Sequence, residues 1–185
     1  VRKLVAESVA EALHCAGDET VRLYVAGCVE RMAPLFVGLR AGVGREADLD
    51  FYVESGHGLW YADRPIVDAS ERVRVLEEFA ELRPSDEGIS DTADTYAFFA
   101  ALVLHHALLA NASGKADDAV SCGHVSLTAM GMLDQNVGGA AFLKDEERLQ
   151  LLSVSADIAG LWEASVEAGR ERFRAVLSRT ALTAG

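Results

Sequence analysis

His57 ends the one run of side chains whose types and spacing suggest metal or acid–base chemistry. Asp50, Glu54 and His57 fall at i, i+4 and i+7, on one face of a helix. Glu54-x-x-His57 has the spacing with which a helix of a di-iron carboxylate bundle presents a glutamate and a histidine inward. Such a centre needs two helices of that kind and two further glutamates. The spacing is taken as a single copy, so a di-iron centre is not expected. A mononuclear site is left, with Glu54 and His57 completed by His106 and His124 from across a bundle. The plainer expectation is an exposed acidic face ending at Gly56-His57-Gly58, with no metal and no cofactor.

His105 and His106 are neighbours in the most apolar run of the chain. Successive helical residues point about 100° apart, so the two do not easily share an ion. One is expected to face the core with a hydrogen-bond partner and the other to line a cleft. Cys122-Gly123-His124 sets a thiol near an imidazole, a combination that activates a nucleophile. Residues two apart on a helix face away from each other, however, so no catalytic thiol is assigned. Gly-x-Ser-x-Gly is absent, and Gly114-Lys115 lacks the rest of a phosphate loop. The chain therefore reads as non-enzymatic.

Charge points to a different class of function. The 185 residues carry 29 Asp and Glu against 17 Lys and Arg, a net charge of −12. Nucleic acid is disfavoured, because its phosphates must be neutralised by Lys or Arg, and so is an anionic membrane surface. A basic protein partner is favoured through electrostatic steering. Asp48, Asp50, Glu54, Glu77, Glu78 and Glu81 are the candidate partner-binding residues. They would occlude a basic active site, as an inhibitor or toxin-immunity protein does. Against this stands a plain solvated surface that keeps a cytoplasmic protein in solution.

Cys15, Cys28 and Cys122 form no C-x-x-C pair, and three is an odd count, so neither a disulfide framework nor a zinc knuckle is expected. A reducing, cytoplasmic setting follows. The first fifteen residues hold Glu7 and Glu11 and no apolar h-region, so no signal peptide is expected. Tyr96 to Leu109 is shorter than the roughly 20 apolar residues that span a bilayer.

The elements that must position these side chains are helices. Val5, Val9 and Leu13 predict one over residues 1–17. Val21, Val25, Cys28, Met32, Leu35 or Phe36, and Leu39 predict a second, which Pro34 should kink or weaken. A third runs from Glu46 to about Ala62 with Leu49, Val53, Gly56 and Trp60 inward, and Arg64-Pro65 breaks it. Asp68-Ala-Ser-Glu71 has the spacing of a capping box and opens a fourth, with Val73, Leu76 and Phe79 inward, which Pro84 closes. A central apolar helix at about 93–112 turns through Ser113-Gly114-Lys115 into an amphipathic partner, Ala116 to Leu133. A Gly-rich connection leads to one last helix of about thirty residues, from Asp145, with its acids early and Arg170, Arg172, Arg174 and Arg179 late. No stretch alternates with period two long enough for a strand. The expectation is an all-α fold: one domain over residues 1–185, about seven helices around the apolar one. Trp60, Trp162 and Phe173 are expected in its core. An apolar helix face left uncovered would favour self-association.

Three segments carry a resemblance. They are Cys28-Val-Glu-Arg-Met-Ala-Pro34, then Leu76-Glu-Glu-Phe-Ala-Glu-Leu-Arg-Pro84, then the hairpin with Ala119-Val-Ser-Cys-Gly-His-Val-Ser-Leu-Thr128. In this order and spacing, over residues 20–178, the chain resembles the YjaG-like family, a bacterial all-α family of unknown function. The resemblance implies a helical bundle. It implies no activity, cofactor or site residue. The short Gly-rich stretch before the last helix and the extra N-terminal helix depart from the family pattern.

Overall fold

The described residues, 5–61, 66–83, 91–155 and 159–183 of a computed structural model, are helical, with no strand among them. In chain order the helices are α1 (Glu7–Cys15), α2 (Asp18–Arg40), α3 (Glu46–Trp60), α4 (Ala69–Glu77), α5 (Thr92–Ser113), α6 (Ala116–Asn136), α7 (Phe142–Ser153) and α8 (Leu161–Thr183). Each amphipathic stripe must be hidden against another, and the result is a helical bundle.

The α5–α6 hairpin forms where the sequence places it. Asp91 caps α5 by accepting from the Ala93 amide at 3.2 Å. Gly114 takes the left-handed conformation, φ 65°, and returns its N–H to Ala110 O at 2.9 Å. By length and composition α5 is apolar enough to cross a bilayer. In this fold it packs against α2, α3, α4, α6 and α8. Ala97, Ala100, Ala101, Val103 and Leu104 are fully buried, while Phe98, Phe99 and Leu102 stay partly accessible. The centre is shared with α2, which packs against α3, α5, α6, α7 and α8.

Pro34 does not interrupt α2, which runs unbroken from Asp18 to Arg40. A proline lacks the N–H that would bond the Glu30 carbonyl. Gly169 of α8 meets α2 at this place: a Cβ there would lie 3.0 Å from Pro34 Cγ and 3.1 Å from Glu30 O. The missing methyl lets α8 seat on the proline.

Three expectations are corrected. In α3 the buried residues are Tyr52, Ser55, Gly56 and Leu59, while Val53 is exposed. Tyr52 decides the face: its ring stacks on Phe36 at 4.7 Å and its hydroxyl donates to Ala100 O at 3.1 Å. The capping box at α4 is not made. Asp68 has φ 54° and no side-chain cap bond, and Glu71 pairs with Arg74. The long last helix is two helices: α7 ends at Ser153, and α8 begins at Leu161 after Gly160 at φ 79°. Asp134 holds the start of α7, accepting from the Phe142 and Leu143 amides at 2.8 and 3.0 Å. The expected breaks at Pro65 and Pro84 lie outside the described residues.

Candidate functional site

Asp50, Glu54 and His57 share the outer face of α3, all exposed. His57 lines a cleft of about 500 Å³ with Glu54, Tyr61, Val67 and Arg72. The other candidate ligands stand apart from it. His105 Nε2 meets Glu77 Oε1 at 3.1 Å, and its buried Nδ1 has no partner. Burial lowers the pKa of His106, its neighbours His105 and His124 lower it further, and Asp118 opposes them. The Glu-x-x-His spacing occurs a second time, at Glu11 and His14 of α1, against the expectation of a single copy. His14 meets Asp117 at 3.1 Å. Among the described residues no three His, Cys, Asp or Glu side chains gather where they could hold a metal ion.

Five of the six candidate partner-binding acids are engaged within the fold. Asp48 accepts from Arg45 Nε at 2.8 Å, and Glu54 lies 3.7 Å from Arg72. Glu77 is on His105, and Glu78 accepts from Arg83 at 2.8 Å. Glu81 is an interior group, its side chain 2% exposed, accepting from Arg40 Nε at 2.6 Å and Arg45 Nη1 at 2.5 Å. Burial raises its pKa, but the hydrogen bonds from Arg45 and Arg40 outweigh that and hold it below the usual carboxylate range. Arg45 also lies over the rings of Phe36 and Phe79. Asp50 is exposed on α3.

The most developed polar arrangement is one that the sequence did not announce. Glu146 of α7 is fully buried among α2, α7 and α8. Its Oε2 accepts from Arg31 Nε at 2.8 Å and Arg172 Nη2 at 2.6 Å. Its Oε1 accepts from Arg31 Nη2 at 2.9 Å and Gln150 Nε2 at 2.8 Å. Gln150 also donates to Gly123 O at 3.0 Å and accepts from the Tyr24 hydroxyl at 2.8 Å. Arg31 further donates to Ser165 Oγ at 3.2 Å and meets Cys28 Sγ at 3.4 Å. Burial alone would raise the pKa of Glu146, but Arg31 and Arg172 bring it to about 2. The carboxylate is ionised and saturated with donors, so it holds charge in place and has no free lone pair for proton transfer.

Two glycines make room for this cluster. A Cβ on Gly27 would lie 2.8 Å from Arg31 Nη1, and one on Gly123 would collide with the Tyr24 hydroxyl. A signal for the cluster exists in α8, where Leu161, Ser165, Ala168, Arg172 and Val176 form the buried stripe. Arg172 belongs to that inner face. Trp162 and Phe173, expected in the core, each lie one position later and stay partly accessible.

Other carboxylates remain outside. Asp18 and Glu19 open α2, and Asp117 and Asp118 open α6; all but the half-buried Asp118 are exposed. Of these, Asp117 meets His14 and Asp118 accepts from Ser113 Oγ at 2.6 Å. No family model, curated protein or solved structure matches the chain.

Proposed function

We propose that the protein is a non-enzymatic module that binds a basic protein, with an inhibitor or immunity protein as the concrete form. The observation that carries this reading is where the charges go. Among the described residues, the buried cluster draws two guanidinium groups, Arg31 and Arg172, into the core against one carboxylate, Glu146. Glu81 is interior as well, so the buried charges balance and the exterior keeps the chain's net charge of −12. Asp18 and Glu19 stay exposed, and such a surface steers a cationic partner into encounter. A reducing cytoplasm suits the three free thiols, Cys15, Cys28 and Cys122. Membership of the YjaG-like family is part of the same proposal and brings no activity with it.

The test is affinity capture on the tagged full chain at low and high salt. A basic protein should be retained, and its dissociation constant should rise about tenfold or more over a tenfold increase in salt. Recovery of no basic protein at low salt would overturn the reading.

The cleft beside His57 favours a second reading, a small-molecule or metal site built on Glu54 and His57. Metal analysis of purified protein, with the thermal shift of His57→Ala on adding zinc, tests it. No metal and no difference between variant and parent would remove it.

A further inference from the structure

We propose that the cleft between the start of α2 and the ends of α3 and α5 seats a lysine or arginine side chain of the basic partner. This inference rests on the binding-module reading and adds the contact.

The cleft measures about 580 Å³, within the range of sites that enclose a ligand group. Its floor is apolar: Val25 and Ala110 are almost fully buried beneath it, with Val21 beside them. Such a floor suits the methylene stem of a long cationic side chain, which buries its carbons and keeps its head in polar surroundings. The rim carries the exposed carboxylates of Asp18 and Glu19. One wall is Tyr61, whose side chain is a large apolar group left 53% exposed. An accessible aromatic face attracts a cation.

The backbone adds to this. The C-terminal ends of two helices line the cleft, with Gly58 and the capping residue Tyr61 at α3 and Asn111 and the capping residue Gly114 at α5. The final carbonyls of a helix carry partial negative charge and favour cations. One such carbonyl already holds a guanidinium: Arg22 Nη1 donates to Leu59 O at 2.6 Å. The start of α2 would oppose a cation by its own dipole, and Asp18 and Glu19 in its first turn offset that. Among the described residues lining the cleft Arg22 alone is basic, and it is committed to Leu59.

The probe is a fluorescein-labelled hexalysine peptide titrated into the full chain at low salt. Asp18→Asn with Glu19→Gln should weaken binding about tenfold. Tyr61→Ala, outside any helix, should weaken it about threefold. Glu163→Gln with Glu171→Gln, an equal charge change on the exposed face of α8, should alter it less than twofold. Thermal unfolding of each variant checks that the fold is kept. Equal loss in both double variants, with Tyr61→Ala unchanged, overturns the cleft and leaves the binding-module reading standing. No binding by the parent chain overturns both.

Discussion

Arg31 grips Glu146 with two parallel hydrogen bonds, Nε to Oε2 at 2.8 Å and Nη2 to Oε1 at 2.9 Å, and neither side chain reaches solvent. The residues are 115 apart in the chain, so the pair ties α7 to the central helix α2. A fork-to-fork pair of this kind combines charge with fixed geometry.

Removing the carboxylate should be costly. Glu146→Gln leaves two buried guanidinium groups without their counterion. Breaking a buried pair from one side costs about 3–5 kcal/mol. Urea unfolding of the variant should show that loss, and a loss below about 1 kcal/mol would contradict the burial of the cluster.

The same residue sets an acid limit. The pKa of Glu146 is lowered from 4.5 to about 2 on folding. A depressed carboxylate contributes stability that is complete above its unfolded pKa and is lost as pH falls through its folded pKa. That contribution, on the order of 3 kcal/mol, should therefore disappear between about pH 4.5 and pH 2. Unfolding midpoints measured across this window should fall more steeply for the parent chain than for Glu146→Gln.

Gly123 should resist alanine for a reason that lies in α2. A Cβ at position 123 would collide with the Tyr24 hydroxyl and approach Gln150 Oε1 to 2.9 Å. Gly123→Ala should cost about 1–3 kcal/mol through overpacking. Tyr24→Phe removes the colliding oxygen, so the double variant should be more stable than the two single losses predict. A double-mutant cycle by chemical denaturation measures this coupling, and strict additivity would refute the contact.

Carboxylates that look alike in the sequence should separate on substitution. Glu81 is interior and held by Arg40 and Arg45, whereas Asp50 is exposed. Glu81→Ala should destabilise by about 1–3 kcal/mol, because it takes one of two carboxylate partners from each of the partly buried Arg40 and Arg45, leaving Asp94 and Asp48. Asp50→Ala should stay within about 0.5 kcal/mol, the ordinary range for a surface change. Thermal unfolding of both variants is the measurement.

Much of the fold is legible without coordinates. The α5–α6 hairpin, its Gly114 turn, the inward Val9 and Leu13 of α1, and Val73, Leu76 and Phe79 at α4 all follow from local spacing. A helix repeats every 3.6 residues whatever it packs against, and a glycine that takes positive φ marks its own turn. Composition likewise sets the negative charge.

The tertiary structure decided which face of each helix turned inward, and so which polar groups met. Tyr52 rotated α3 away from the Val53 stripe because its hydroxyl had an acceptor in α5. Gly160 parted α7 from α8, and with α8 laid against α2 and α7, Arg172 lies on Glu146. Arg31, Glu146 and Arg172 look in the chain like surface charges or dipole partners. A charge becomes interior only when its counterions arrive from distant segments, and that pairing depends on packing between helices rather than on any local pattern.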